Sequence, residues 1–313
     1  VTDDMTIVSI DRDGNFYLLW GWSSARMNRF DSAFEPFPYP AGTKGNIQKL
    51  GCPRTRLRGL YVDRGGNAYV LSQSGPGDSN NVAKYGPDGK ATNAKLVDAE
   101  IRSLNSVRLD PKGNIYLALG ARAGGRMLPP HLEGKLPNSA KDPDAENGHN
   151  YYPLMYGSIV KFGPEGGTIR KQGEGIEAAY GYKRKVFIKD AKWAFFGASS
   201  VTTWTHGGMK PNICACESPR FDVDGFGRSF FGDACSFRVG VLDSAGNLIR
   251  WFGGYGNQDS AGPKSAIPTP EIPFGWVQAV AVDDEACFVG DRLNNRVVRV
   301  KLGYAAEETC ALR

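Results

Sequence analysis

The stretch VRLDPKGNIYLAL, from Val107 to Leu119, alternates apolar and polar residues, turns at Asp-Pro-Lys-Gly-Asn and then alternates again. This is the pattern of two antiparallel strands joined by a tight turn. The turn needs a residue with positive φ, which glycine adopts without steric cost and which the following asparagine also tolerates. We therefore predict a β-hairpin here, with Asp110 opening its turn.

Similar stretches recur on both sides of this hairpin, so it is one unit of an internal repeat. Successive turn aspartates are separated by 52, 47, 112 and 61 residues. The spacing of 112 is twice 56, which indicates a degenerate unit inside it, and the segment 185–201 (KVFIKDAKWAFFGASSV) lies at the right place. The turn aspartates of the recognisable units are Asp11, Asp63, Asp110, Asp222 and Asp283.

A second hairpin follows the first in most units, for example at 82–91, 159–169 and 239–249. Each unit then has four strands, and four-stranded units that repeat every about 40–60 residues are typical of β-propellers. We therefore predict an all-β fold, a six-bladed β-propeller of four-stranded antiparallel blades. We predict that residues 1–313 form this propeller as a single domain.

Two of these units carry a family resemblance. They are VQAVAVDDEACFVGDRLNNRVVRVKL, at 277–302, and PRFDVDGFGRSFFGDACSFRVGVLDSAGNLIRWFG, at 219–253. Both resemble the repeats of NHL-repeat propellers, which implies the same fold for nearly the whole chain. The resemblance leaves function open, because one propeller scaffold hosts many functions.

Composition and charge argue against several classes of function. The net charge is +5, but Lys and Arg form no long basic blocks, so we predict no nucleic-acid partner. No apolar run is long enough for a transmembrane helix, so no membrane span is predicted. The six cysteines, an even number, permit full pairing and favour an extracellular or periplasmic location. The start at Val1 indicates either a processed chain or one part of a larger protein.

The connections between strands define two faces of the predicted propeller. The turns inside hairpins are short and stereotyped, and we name their side the turn face. The connections from second to third strands and from unit to unit are longer, and we name their side the loop face. The longest are an insertion at about 121–157 and the stretch 253–276. Long loops in a compact domain usually have a function, so we predict binding at the loop face.

Large side chains at the loop face are the candidate binding residues. Tyr and Trp are effective anchors for proteins and sugars, so we predict a protein or carbohydrate partner. The alternative is that these aromatic residues pack over the channel. The candidates are Trp22, Tyr151, Tyr152, Trp204, Arg220 and Trp276.

All three histidines, His131, His149 and His206, also fall on the loop face. Three converging histidines could hold zinc with a fourth position open. Their spacing matches no ligand motif, so chance placement among long loops is the alternative. Peptide-amidating lyases are similar propellers that use histidines in Pro-His pairs opening a strand. This chain has Pro219-Arg220 at such a position.

The chain also resembles the gluconolactonase-like (senescence-marker) propellers at two places. LNSVRLDP, at 104–111, is similar to one of their metal-binding asparagine stretches, and FFGDA, at 230–234, offers an aspartate. The resemblance implies Asn105 and Asp233 as ligands of a divalent cation such as calcium. Arg220 replaces another ligand and would repel a cation. Alternatively, Asp233 ties the loop after its strand, as such aspartates do in NHL-repeat propellers.

A disulfide is predicted between Cys216, just before a first strand, and Cys235, just after the strand that pairs with it. Adjacent antiparallel strands bring these ends to the same edge, within reach of a bond. Cys214 is a less favoured substitute for Cys216. No pairing is predicted for Cys52, Cys214, Cys287 or Cys310.

Two functions remain from the sequence. The first is a non-catalytic, secreted or cell-surface interaction domain, favoured because no complete catalytic set is recognisable. The second is a metal-dependent lactonase- or lyase-type enzyme with calcium or zinc at the channel mouth on the loop face.

Overall fold

The computed structural model shows a chain made almost entirely of β-strands. Within its described part, the only helical element is a short 3₁₀ turn at Ala234–Ser236. The structure describes residues 7–11, 13–20, 26–38, 47–49, 57–73, 79–101, 104–123, 156–180, 184–199, 219–257 and 269–303.

The first sheet is a four-stranded antiparallel meander in which each strand pairs with the next along the chain. The alternation of its second and third strands buries Tyr17, Leu19 and Met27. Its strands are β1 (Ile7–Ile10), β2 (Phe16–Trp20), β3 (Arg26–Phe30) and β4 (Ile47–Lys49).

The second meander forms one half of an eight-stranded sheet. Its fourth strand pairs in parallel with a strand from later in the chain, and three further strands extend the sheet beyond it. The meander consists of β5 (Leu57–Val62), β6 (Ala68–Gln73), β7 (Asn80–Tyr85) and β8 (Ala91–Ala99). The extension consists of β13 (Gly167–Arg170), β15 (Arg184–Lys189), β14 (Ile176–Tyr180) and β11 (Ala121–Ala123), in that order outward.

The third meander confirms the hairpin around Asp110 but differs from the prediction beyond it. Its outer strand comes from residues that follow the extension of the second sheet, so the chain leaves the third meander and later returns to it. Its strands are β9 (Leu104–Leu109), β10 (Ile115–Leu119), β12 (Tyr156–Phe162) and β16 (Ala191–Ser199).

Two predicted hairpins in this region are wrong. The stretch 159–169 does not form a hairpin within one unit, because β12 pairs with β16 while β13 joins the second sheet. The segment 185–201 does not form a unit of its own, because β15 lies in the second sheet and β16 in the third. Alternation shows which residues of a strand are buried but not which strand pairs with it, so the pattern alone assigned the wrong neighbours.

The fourth meander is antiparallel throughout, and the fifth has three strands in the part that the structure describes. A two-residue parallel pair, β21 (Gly254–Tyr255) with β22 (Pro273–Phe274), lies between them in sequence. The fourth meander consists of β17 (Phe221–Val223), β18 (Ser229–Asp233), β19 (Arg238–Leu242) and β20 (Leu248–Phe252). The fifth consists of β23 (Val277–Val282), β24 (Ala286–Asp291) and β25 (Arg296–Lys301).

The first strands of the five meanders lie beside one another. β1 contacts β5, β5 contacts β9, β9 contacts β17, and β17 contacts β23. The C-terminal ends of all five strands, with their turns, line one cavity of about 570 Å³. Antiparallel meanders arranged around a common cavity are the architecture of a β-propeller. The described residues supply five such first strands, and no sixth is found among them.

The hairpin turn around Asp110 matches the prediction, and the turn of the fourth meander differs from it by two residues. Gly113 has a φ of +76°, and the glycines at the same position of the other turns also have positive φ. In the fourth meander the turn aspartate is Asp224, which bonds the amide nitrogens of Phe226 and Arg228. Asp222, which the sequence spacing used, lies within β17 instead.

Candidate binding surfaces

The loop face brings together four of the predicted site residues. Asn105 lies at the start of β9, Arg220 immediately before β17, and Trp276 immediately before β23. Asp233 ends β18, which runs antiparallel to β17 and therefore finishes at the same end. These residues belong to three successive meanders whose first strands are in contact.

Asn105 is buried at an irregularity of the β9–β10 ladder. Its side-chain oxygen accepts a hydrogen bond from the amide nitrogen of Ser106 at 2.7 Å. Ser106 has a φ of +54°, which an L-residue adopts only when its surroundings hold it there. The amide oxygen thus has a local structural partner, and the assignment of Asn105 as a metal ligand stays a prediction.

Asp233 and Asp291 occupy equivalent positions at the ends of β18 and β24, and both are buried. Each carboxylate accepts a hydrogen bond at 3.1 Å from the Nε of an arginine five residues later, Arg238 or Arg296. The other oxygen of Asp291 accepts the amide nitrogens of Gly275 and Trp276, both at 2.9 Å. Asp291 therefore ties the segment before β23 to the end of β24.

Asp233 differs from Asp291 in one respect. Its Oδ1 is buried and has no hydrogen-bond partner among the described residues. A buried carboxylate oxygen is costly unless it is bonded, so this oxygen is where a ligand contact at Asp233 would be made. Its role as a metal ligand stays a prediction.

Trp276 and Arg220 are half-buried and belong to well-bonded segments. The main-chain nitrogen of Trp276 bonds Asp291, and its carbonyl accepts the amide nitrogen of Arg292 at 3.0 Å. The carbonyl of Arg220 accepts the amide nitrogen of Gly232 at 3.4 Å. Both positions are therefore fixed relative to the sheets.

The remaining candidates lie outside the described residues or have no described side chain. Cys287 is a buried free thiol. The even number of cysteines permitted all six to pair, but with Cys287 free they are not all paired. Cys235 lies in the 3₁₀ turn at Ala234–Ser236, but its side chain is not described, so the predicted disulfide is untested. Outside the described residues lie His131, His149, His206, Trp22, Tyr151, Tyr152, Trp204, Cys216, Cys52, Cys214 and Cys310.

Within the described ranges, no group of three or more His, Cys, Asp or Glu side chains is placed to hold a metal ion. In the same ranges, no helix is long and apolar enough to cross a membrane.

An ion pair between inner strands joins three meanders. Asp222 of β17 accepts a hydrogen bond from Arg108 Nε of β9 at 2.6 Å, and its other oxygen accepts the amide nitrogen of Val282 of β23 at 2.9 Å. This role was not predicted from the sequence, where the spacing of the repeat assigned Asp222 to a turn. The two charged partners are 114 residues apart, and no local pattern relates them.

The turn face holds the cavity of about 570 Å³ that the five first strands surround. Its acidic lining is already bonded within the turns. For example, Asp110 Oδ1 accepts the amide nitrogens of Lys112 and Asn114, both at 3.0 Å. Burial alone would raise the pKa of Asp110, but hydrogen bonds from Asn114, Lys161 and Tyr116 outweigh it and hold the pKa below its ordinary value.

A second cavity, of about 590 Å³, lies between the outer strands of the fourth and fifth meanders. Its lining includes residues 249–253 of β20 and its exit, and the stretch 300–303 at the end of β25. Phe230 and Val241 also line it, and the segment 270–272 completes it. We name it the β20 groove. No local sequence pattern predicts this groove, because its lining residues come together only when the two meanders pack.

Comparison with known proteins adds no assignment of function. No protein-family model matches the sequence, and no curated protein matches it. Among solved structures, a protein of unknown function from Bacteroides caccae is 9% identical, with a TM-score of 0.44, covering 96% of this chain and 79% of that one. A hydrazine synthase from Kuenenia stuttgartiensis is 12% identical, with a TM-score of 0.45, covering 94% of this chain and 70% of that one.

The β-propeller domain of Cps50 (Swd1) from Myceliophteria thermophila is 7% identical, with a TM-score of 0.42 and coverage of 95% of this chain and 82% of that one. Similarity at this level assigns no function to the chain. The class of protein, an all-β chain of β-propeller character, follows from the strand topology described above.

Proposed function

We propose that this chain is a non-catalytic β-propeller binding domain, secreted or on the cell surface, whose loop face holds a protein or carbohydrate partner. The observation that carries the proposal is the direction of the strands. β10, β16 and β20 all run toward the loop face, and the long connections to β12, β17 and β23 start there. A rigid scaffold that presents long loops at one end is a common way to build a binding site.

The described residues of the loop face support the same proposal. Trp276 offers part of a large aromatic side chain, with its indole Nε1 buried, at a position that Asp291 fixes through the main chain. Arg220 is a half-buried cation on the neighbouring meander. Aromatic and arginine side chains held in place before binding are the usual energetic centres of interfaces.

The test compares the two faces on the same probes. The purified chain is screened against arrays of extracellular proteins and of oligosaccharides, and each hit is measured again with variants. We expect Trp276→Ala to weaken binding by about tenfold or more, as for an interface anchor. Phe226→Ala is the matched control, because Phe226 is 64% exposed on the turn face. Loss of binding in the Phe226 variant with full binding in the Trp276 variant would place the site on the turn face and contradict the proposal.

The buried Oδ1 of Asp233 favours one alternative, a metal-dependent lactonase or lyase at the loop face. That function requires a divalent cation near Asp233 and Asn105. Metal analysis of the purified chain after dialysis against calcium or zinc tests it, with lactone hydrolysis as a second readout. A stoichiometric metal that is lost in both Asn105→Ala and Asp233→Asn would support the enzyme. A metal content that both variants retain would exclude these two ligands.

The extracellular or periplasmic location is part of the proposal, and thiol counting tests it. We expect one thiol, Cys287, to stay unreactive in the native protein and to react after denaturation, because burial raises its pKa to about 12. We also expect a Cys216–Cys235 peptide pair in a non-reducing digest. If all six cysteines react after denaturation without reductant, the chain has no disulfide and the compartment is a reducing one.

A further inference from the structure

The β20 groove differs from an ordinary cleft between blades, because its wall follows the edge of a strand. Five consecutive residues, 249–253, line it. Side chains of neighbouring residues in a strand point to opposite faces of the sheet. Trp251 packs toward the third meander and Phe252 toward the fifth, yet both line the groove. The groove therefore extends along the edge of β20.

That edge is unpaired in the part of the chain that the structure describes. β20 pairs with β19 and is the last strand of its sheet. Leu248 and Ile249 on this edge strand are 41% and 54% exposed. Natural edge strands are usually protected by charges, proline or bulges, and an exposed apolar edge can accept another strand. The ladder has one irregularity, next to Ile249, and the rest of β20 is regular.

The charge of the groove indicates what would bind there. Arg250 and Lys301 both line it and are exposed, and neither forms an ion pair with any described acid. Arg228 is already neutralised by Asp224 at 2.6 Å. Among the described residues that line the groove, Glu271 is the single acidic one. The groove thus combines an apolar floor with an excess of positive charge.

We propose that the β20 groove binds an extended acidic peptide segment of another protein, which adds to the sheet as a strand beside β20. Alternate side chains of the peptide would enter the apolar groove near Phe230 and Val241, and its carboxylates would face Arg250 and Lys301. Main-chain hydrogen bonds along an edge give such complexes their affinity, and the alternating pockets give specificity. This surface is separate from the loop face, so either proposal can fail without the other.

The experiment measures fluorescence anisotropy of labelled peptides added to the full chain. The probe is an alternating Glu/Val peptide of about eight residues, a typical strand length. Its counterpart has Lys in place of Glu. We expect the acidic probe to bind and the basic one not to bind, with affinity falling as salt rises. No binding of the acidic probe, or equal binding of both, would overturn the proposal.

Two variants place the site. We expect Lys301→Glu and Arg250→Glu each to weaken binding by about tenfold, because a favourable charge becomes repulsive. Arg299→Glu is the matched control. Arg299 lies on β25, as Lys301 does, but it pairs with Glu285 at 3.8 Å and does not line the groove. An equal loss in the Arg299 variant would show nonspecific attraction to a basic surface and would overturn the site.

Methylated peptides test strand addition without altering the protein. Methylation of alternate amide nitrogens removes the hydrogen bonds on one edge of a strand only. We expect the peptide methylated on the amide nitrogens that face β20 to lose binding, and the peptide methylated on the other set of amide nitrogens to keep it. Retention in both registers would overturn strand addition. Sedimentation of the chain alone tests whether a second copy of the chain occupies the groove. A dimer that Lys301→Glu disrupts, together with no peptide binding, would assign the groove to self-association and overturn the peptide proposal.

Discussion

Lys161 shows how a single residue can connect two meanders. Its Nζ lies 3.1 Å from Asp110 Oδ2 in its own meander and donates to the carbonyl of Ser244 in the next at 3.0 Å. The ammonium group also lies over the ring of Tyr116. Both charged side chains are almost fully buried. A buried charge is tolerated only when it is paired and hydrogen-bonded, as it is here.

We expect Lys161→Met to destabilise the chain by about 3 kcal/mol, because it leaves Asp110 as a buried carboxylate without its cation. The free energy of unfolding from urea titration gives the measurement. Lys189→Met is the control, since Lys189 is exposed on β15 and forms no ion pair among the described residues. Equal midpoints for the two variants would mean that the Lys161–Asp110 pair contributes nothing.

The lowered pKa of Asp110 predicts how the stability of this region depends on pH. The folded state holds the carboxylate charged below the ordinary pKa of about 3.9 for an unfolded aspartate. The stabilisation is therefore fully present above that value and is lost as the pH falls through the folded pKa. Wild type and Asp110→Asn should differ most in unfolding free energy near pH 7, and the difference should shrink as the pH falls below the ordinary aspartate pKa and through the lower folded one. A difference that stays constant with pH would contradict this assignment.

At the scale of the element, the hairpin turn is the unit that the sequence repeats. Asp63 illustrates the bonding: its Oδ1 accepts the amide nitrogens of Gly65 and Asn67, both at 2.9 Å. Tyr69 donates to the other oxygen at 3.3 Å, and burial together with that carboxylate raises the pKa of the tyrosine to about 12. The same aspartate, asparagine and tyrosine recur at Asp11 and Asp110 with similar distances.

We expect Gly113→Ala to destabilise the chain by about 1–2 kcal/mol, because its φ of +76° is strained for a residue with a Cβ. The effect would be conformational rather than steric, since a Cβ there would lie 3.8 Å from the nearest atom, in Pro164. Gly113→Asn is the matched variant, because asparagine tolerates the left-handed region better. Thermal unfolding should rank wild type, the Asn variant and the Ala variant in descending order. Identical stability of all three would contradict the explanation.

At the scale of the whole molecule, Asp222 joins inner strands that are distant in sequence. It bonds Arg108 on one side and the Val282 amide on the other. We expect Asp222→Ala to lower the free energy of unfolding by about 2 kcal/mol, since two hydrogen bonds to a charged group are lost. Hydrogen exchange of the Val282 amide should become faster.

Asp243→Ala is the control for that experiment. Its carboxylate bonds Ala245 and Asn247 within its own exposed turn, so its loss should leave exchange at Val282 unchanged. Unchanged exchange at Val282 in the Asp222 variant as well would mean that β23 is held without this bond.

Much of the fold could be predicted because its signals are local. The turn around Asp110 and the alternation on either side of it require nothing beyond adjacent residues. The site was less predictable. Asn105, Arg220, Asp233 and Trp276 lie at the same end of their strands, which strand direction alone determines, whereas their contacts depend on neighbouring meanders. The β20 groove had no signal in the sequence, because its lining residues come from separate parts of the chain that meet only in the folded structure.

The amino-acid pattern fixes the strands, their buried faces and the turns that join them, because each depends on contacts a few residues apart. The pattern does not determine which strands pair with each other. β15 and β16 have only Asp190 between them and join different sheets, and β8 pairs in parallel with β13 from much later in the chain. Strand pairing depends on backbone hydrogen bonds that are the same for every residue type, so the complete packing of the chain selects which edges meet.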